Sequence, residues 1–146
     1  MAQLQRKAGA IWEGTLKEGS GLISTESKAL FKYPYNFSTR FEQSEEGTNP
    51  EELIAAAHAG CYSMALANTL KQEGYQPINI VTSATCTLIP LNGGFEITAM
   101  DLHVHAEVEG IEQSALEEIA AKADQGCPVS NLLREGLDLT RSVELE

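Results

Sequence analysis

The run "NPEELIAAAHAGCYSMAL", residues 49 to 66, sets the tightest constraint on how this chain folds. Thr48 or Asn49 can cap exposed amides, Pro50 suits the first helical position, and Glu51 and Glu52 complement the positive end of the helix dipole. The spacing predicts a helix from here to about Gln72, with Gly74 as its stop. Leu53, Ile54, Ala55, Ala56, Ala57, Ala59, Gly60, Cys61, Met64, Ala65, Leu66, Ala67 and Leu70 make it apolar around most of its circumference. A surface helix needs only one apolar stripe, so this one is expected to be buried between other elements. Its Ala and Gly residues let a neighbour approach its backbone closely.

The flanking sequence supplies those elements. Alternation in "GAIWEGTL" and then "GLIST", after the turn "EGSG", predicts two N-terminal strands. Further extended chain is expected in "ALFKYPYNFSTRF", with Pro34 at an edge or in a loop. Strands follow over about 78–89 and 95–108, joined across "PLNGG" as a hairpin. A second helix fits "EQSALEEIAAKADQ", a shorter third one opens at "GCPVSNLLRE", and "LDLTRSVEL" alternates as a closing strand. No repeat, low-complexity tract or linker interrupts the 146 residues. A single α+β domain is expected over 1–146, with antiparallel sheets packed around central helices.

Ten Lys and Arg against 21 Asp and Glu give a formal charge of −11. That charge repels phosphate backbones and anionic lipid head groups, so neither nucleic acid nor a membrane is an expected partner. The start, "MAQLQRKAGAIWEG", has no apolar stretch of signal-peptide length, and no window approaches the roughly 18 apolar residues of a membrane span. A soluble cytoplasmic protein is the expectation. Cys61, Cys86 and Cys127 are too few and too widely spaced for a disulfide framework, and no CxxC pair suggests zinc. In a reducing cytosol each is an apolar filler or a working thiol.

Taken singly, the candidate residues stay ambiguous. Cys86 falls in phase with Ile80, Ala84 and Leu88 and reads as core. His103 and His105 share a strand face with Asp101, Glu107 and Glu109, while Leu102, Val104 and Val108 take the other. That is the pattern of a solvated face rather than of a metal site. His58 precedes Cys61 by three residues and can face the thiol as a base, although local packing is the simpler reading. Cys127 directly precedes Pro128, at the N-cap of the short helix, where amide dipoles favour a thiolate. A buried residue at a helix start reads equally well there. Cys61, flanked by Ala, Gly, Tyr and Ser, reads alone as packing. Arg40, in "NFSTRFE", reads alone as a surface residue, or as an inward cation able to lower a thiol pKa.

The combination is more specific than its parts. "GTNPEELIAAAHAGCYSMAL", followed later by "GCPVSNLL" and preceded by "WEGTLKEGSGLISTES" and "PYNFSTRFE", resembles the OsmC branch of the OsmC/Ohr family along the whole chain. The resemblance implies a cysteine-based thiol peroxidase that reduces organic hydroperoxides and hydrogen peroxide in oxidative and osmotic stress defence. It implies Cys61 as peroxidatic cysteine, Cys127 as resolving cysteine, and a Cys61–Cys127 disulfide following a sulfenic acid on Cys61. It also implies an Arg and Glu pair, placed at Arg40 and Glu51, in which Glu51 holds the guanidinium that stabilises the thiolate. No metal or organic cofactor is implied. The implied partners are a hydroperoxide substrate, a dithiol reductant of the dihydrolipoamide type, and a second copy of the chain in an intertwined homodimer with active sites at the subunit interface. Phe37, Tyr62 and Met64 are candidates for the wall of the substrate pocket. Ten residues separate Glu51 from Cys61, about 15 Å along a continuous helix. Either the helix breaks between them or Glu51 serves a second subunit, and the implied homodimer favours the second. The alternative is a non-catalytic redox-sensing or small-ligand-binding protein using the same thiol pair.

Overall fold

A computed structural model describes residues 3–44, 46–137 and 139–143, and the chain divides into two compact units, 1–54 and 55–146. In the first unit, β1 (Ala8–Glu13), β2 (Ser20–Thr25) and β3 (Tyr33–Tyr35) form an antiparallel sheet in that order. The register places Gly21 beside both Trp12 and Tyr35, whose rings meet across it with centroids 5.3 Å apart. A Cβ at position 21 would stand 2.5 Å from the Tyr35 ring and 2.6 Å from the Ile11 carbonyl oxygen, so the ring contact requires glycine. Pro34 lies in β3, an edge strand that tolerates its missing N–H, as expected.

Beyond β3 the chain departs from the expected extended run, because Phe37–Phe41 is a helix, α1. The Asn36 side chain accepts from the Thr39 amide at 3.0 Å, while the Thr39 hydroxyl accepts from the Asn36 amide at 2.9 Å. This reciprocal capping overrides the β preference of the aromatic residues. Next comes α2 (Pro50–Gln72), with the predicted bounds. Asn49 Oδ1 accepts from the Glu52 amide at 2.8 Å, and Gly74 follows the last turn at φ 92°.

The second unit adds β4 (Pro77–Leu91), β5 (Gly94–Val108), α3 (Gln113–Gly126) and α4 (Pro128–Glu135). The β4–β5 hairpin turns at Asn92 and Gly93, both at positive φ (52° and 80°), which is the two-residue turn expected from "PLNGG". Tyr62, Leu66 and Leu70, one helical turn apart on α2, meet Ile119 and Ala123 of α3 and the Cys127 side chain in the core. Ile80, Leu102, Val104 and Val108 pack on this cluster from the hairpin. The Tyr62 hydroxyl donates to the Ala120 carbonyl at 2.8 Å, and the Ser63 and Thr82 hydroxyls meet at 2.7 Å, which fixes α2 against α3 and β4. His103 and His105 stand exposed with Asp101, Glu107 and Glu109, the solvated face that the alternation predicts.

Three further expectations need correction. First, α2 is not enclosed: Ala56, Gly60, Met64 and Asn68 form an exposed stripe, with Met64 76 % exposed, because the core cluster takes only the side bearing Tyr62, Leu66 and Leu70. Second, Cys86 occupies the predicted face but is half-buried and lies outside the core. It pairs with Met100, nearer the turn than the residues that touch the helices. Third, Leu137 and residues 139–143 form no strand, while Asp138 and 144–146 lie outside the described residues. Alternation alone does not make a strand without a backbone partner, and Leu137, Leu139 and Val143 are exposed. No helix among the described residues is long and apolar enough to cross a membrane.

Candidate active site

The site residues predicted from sequence fall into two pairs, one in each unit. In the first unit the capping of two helices brings Arg40 to Glu51. Asn49 caps α2, and its Nδ2 donates to the Thr39 carbonyl at 3.0 Å, tying the end of α1 to the start of α2. The Thr48 hydroxyl donates to Glu52 at 2.7 Å, so of the two first-turn carboxylates Glu51 alone faces Arg40. Arg40 donates through Nη2 to Glu51 Oε1 at 2.8 Å and through Nε to both carboxylate oxygens at 3.2 and 3.3 Å. Such a two-point contact fixes the guanidinium plane as well as its position. The Glu51 side chain is 8 % exposed and that of Arg40 35 %, which leaves part of the guanidinium open to another group.

Arg40 also borders a cavity of about 290 Å³ walled by Trp12, Leu16, Tyr35, Phe37 and Phe41. Phe37 was a candidate in the sequence. The other four were missed, although "YNFSTRF" already sets aromatic residues on either side of Arg40. Tyr62 belongs instead to the core of the second unit, and Met64 to the exposed stripe of α2.

In the second unit Cys127 Sγ donates to Cys61 Sγ at 3.4 Å, although 66 residues separate them. Cys61 is half-buried, whereas Cys127 is fully enclosed. Cys127 is the N-cap of α4, followed by Pro128, as predicted. The two thiols titrate in opposite directions. Burial pushes Cys61 up and Cys127 adds to the rise, against the amide of Val129. Burial also opposes ionisation of Cys127, but the hydroxyl and amide of Ser130, the Cys61 thiol and the Val129 amide outweigh it and hold Cys127 below its usual range. Burial thus disfavours the Cys61 thiolate, which a positive group placed beside it would favour.

His58, in turn, does not face Cys61 as a base. It is 5 % exposed and its Nε2 lies 2.7 Å from the Ser130 hydroxyl, while its Nδ1 has no hydrogen-bond partner among the described residues. Burial lowers its pKa, with Asp124 opposing and Arg134 assisting. Ser130 went unnoticed in the sequence. The available signal was its place three residues after an N-cap, where a side chain turns back toward the capping residue.

Paired antiparallel strands, a long helix and two facing sulfurs define a thiol-bearing α+β protein, and comparison with known proteins agrees. The family model described as OsmC-like protein matches residues 43–142. The chain is 47 % identical to Peroxiredoxin OsmC of Escherichia coli over 93 % of its own length and 94 % of that protein. It is 31 % identical to the organic hydroperoxide resistance protein of Xanthomonas axonopodis pv. citri over 65 % of the chain and 66 % of the relative. A solved structure of an organic hydroperoxide resistance protein OsmC from Legionella pneumophila superposes with a TM-score of 0.68 at 25 % identity, over 94 % of this chain and 95 % of that one. The chain belongs to the OsmC family.

Proposed function

We propose that the protein is a thiol peroxidase that reduces organic hydroperoxides and hydrogen peroxide. One observation carries this reading: a half-exposed and a fully buried sulfur stand 3.4 Å apart, close enough to join after a small movement. Peroxide reaches Cys61 first. Its thiolate attacks one peroxide oxygen, the O–O bond breaks, and an alcohol or water leaves with a proton. Cys61 is left as a sulfenic acid. Cys127 then displaces water from that sulfur to give the Cys61–Cys127 disulfide, which an external dithiol of the dihydrolipoamide type reduces. The chemistry needs no metal or organic cofactor. The names of the relatives, a peroxiredoxin and a hydroperoxide resistance protein, support the same activity.

Arg40, held by Glu51, is the positive group that Cys61 lacks; it favours the thiolate and the charge developing on the leaving oxygen. The aromatic cavity beside Arg40 suits the apolar part of an organic hydroperoxide. α2 runs without a break from Glu51 past Cys61, a rise of about 15 Å, which supports a role for the pair beside a thiol of the second subunit. The reading therefore includes an intertwined homodimer, each subunit one OsmC-like domain, with sites at the interface. Exposed apolar groups support it: Gly60 and Met64 on α2, and Ile89, Leu91, Phe95 and Ile97 toward the hairpin turn. A cytoplasmic setting supplies the reductant and fits the stress-defence role.

One equivalent of tert-butyl hydroperoxide should convert the reduced protein to a Cys61–Cys127 disulfide, read as a mass loss of two hydrogens and one cross-linked peptide pair. Peroxide consumption by Cys61→Ser at the parent's rate would refute the proposal. Repeated turnover with dihydrolipoamide separates a peroxidase from a redox sensor, which would oxidise once and stop.

A further inference from the structure

The scheme above leaves two buried polar side chains of the second unit without a task. His58 on α2 and Ser130 on α4 come from positions 72 residues apart and meet at 2.7 Å. Both are at least nine-tenths buried. An imidazole buried with one nitrogen unsatisfied is a costly way to fill space, and an apolar side chain would fill it without that loss. The second polar contact explains the arrangement better. Ser130 stands three residues after Cys127 in the first turn of α4, and its hydroxyl and amide both favour the Cys127 thiolate. Two direct contacts, Cys61 Sγ to Cys127 Sγ and Ser130 Oγ to His58 Nε2, are thus joined through the first turn of α4, where the Ser130 hydroxyl favours the Cys127 thiolate.

We propose that His58 is a positioning residue for the resolving step, drawing the Cys127 proton through the Ser130 hydroxyl as that thiol attacks oxidised Cys61. Once Cys61 is oxidised, the Cys127 thiol proton, which in the reduced chain is directed at Cys61, turns and passes to Ser130 Oγ while the hydroxyl proton passes to His58 Nε2. The Cys127 sulfur forms the S–S bond, and the S–O bond of the Cys61 sulfenic acid breaks. The departing hydroxide takes a proton from solvent, and the imidazolium later returns one. The sum is one disulfide and one water. The role in turnover rests on the thiol-peroxidase reading; the coupling of His58 to Cys127 does not.

The electrostatics suit a proton acceptor at neutral pH. Burial holds His58 below its ordinary 6.5 and favours the neutral imidazole, whose Nε2 accepts from Ser130 in the tautomer that carries its proton on Nδ1. From α3, Asp124 acts on it in the opposite sense, and from α4, Arg134 acts in the same sense as burial. Those two side chains are paired with each other, which offsets most of their separate effects. On its own helix, the neighbouring Tyr62 has its pKa raised by burial and stays neutral, as does the Cys61 thiol before activation.

Two measurements on the full chain test this. In Cys61→Ser/Cys86→Ser protein the remaining thiol is Cys127, and thiolate absorbance at 240 nm reads its titration without any peroxide. Adding Ser130→Ala should raise the midpoint by about one pH unit, and Ser130→Thr should restore it. In the otherwise unaltered chain, Ser130→Ala and His58→Gln should slow disulfide formation after one equivalent of tert-butyl hydroperoxide by about a hundredfold at pH 7, as expected for loss of a base. Cys61 sulfenic acid, trapped with dimedone, should accumulate, while the first oxidation keeps the parental rate. The parental rate of disulfide formation should fall at acid pH along the His58 titration followed by NMR, and the variants should lose that limb.

If both variants form the disulfide at the parental rate, or Ser130→Ala leaves the Cys127 titration unmoved, the inference is wrong. Slowing with an unchanged pH profile would also overturn it, by assigning His58 to structure alone. Should His58→Gln fail to fold, the Ser130→Ala and Ser130→Thr pair decides the matter. Absence of peroxide consumption in the parent would remove the peroxidase reading and leave the absorbance titration to judge the coupling.

Discussion

His58 binds its proton less readily in the folded chain than its ordinary 6.5. Below that pH the unfolded chain takes up a proton that the folded chain refuses, so the stability present above 6.5 is lost as pH falls through the folded value. The melting temperature should drop between pH 7 and pH 5, and His58→Gln should flatten that part of the curve. Arg40 permits a second test, since Arg40→Lys keeps the charge but loses the two-point grip on Glu51. On the proposed role of Arg40, the rate of Cys61 oxidation should fall about tenfold to a hundredfold, read by stopped-flow under single turnover, because a mobile ammonium loses the fixed orientation that the role requires. Resolution by Cys127 should be spared. Arg40 and Glu51 were legible in the sequence only through the resemblance, and Arg40 taken alone looks like a surface residue. Ser130 had only its place three residues after Cys127 as a signal, and its contact with a histidine 72 residues away was not legible.

Among the elements, the start of α2 does most to assemble the candidate site. Asn49 caps this helix with its carbonyl oxygen and holds the end of α1 with its amide nitrogen, so one side chain orders both helices that carry the ion pair. Asn49→Ala should cost about 1 kcal/mol by denaturant unfolding. Asn49→Asp keeps the cap and removes the donor to Thr39; it should retain more of the stability while slowing peroxide consumption, because α1 loses its tether. A comparison of unfolding midpoints with initial rates for the two variants checks both statements. α2 and the β4–β5 hairpin were readable because their signals are local: Asn49-Pro50 at a helix start, Gly74 at its end, Asn92-Gly93 in a turn. α1 was misread because a capping box of two residues outweighs five residues of strand-like composition. Leu137 and 139–143 were misread as strand because a strand depends on a partner that the segment itself does not specify.

On the homodimer reading, light scattering should give a particle of about twice 15.8 kDa. Gly60 provides a sharper test. A Cβ there meets nothing within 4 Å among the described residues and Gly60 lies on the exposed stripe, so Gly60→Leu should be accepted by the isolated subunit and improve helix propensity. Loss of the dimer on that substitution would place the stripe at the interface, and a dimer unaffected by it would place the interface elsewhere. Mixing Cys61→Ser with Glu51→Gln subunits should restore about a quarter of the parental activity if Glu51 serves the partner's thiol, since half the dimers would carry one intact site. No recovery in verified mixed dimers would put Glu51 to work within its own chain.

The bounds of α2, the hairpin turn and the place of Cys127 at a helix start follow from residues within about one helical turn of each other, where caps, turns and alternation act. The resemblance added the names of Cys61, Cys127, Arg40 and Glu51 without their geometry. Packing over long separations settled the rest: two sulfurs brought to 3.4 Å across 66 residues, and a histidine to a serine across 72. These depend on how helices seat on a shared core and on which polar groups that core leaves beside each sulfur. Neither property is contained in any short stretch of the chain.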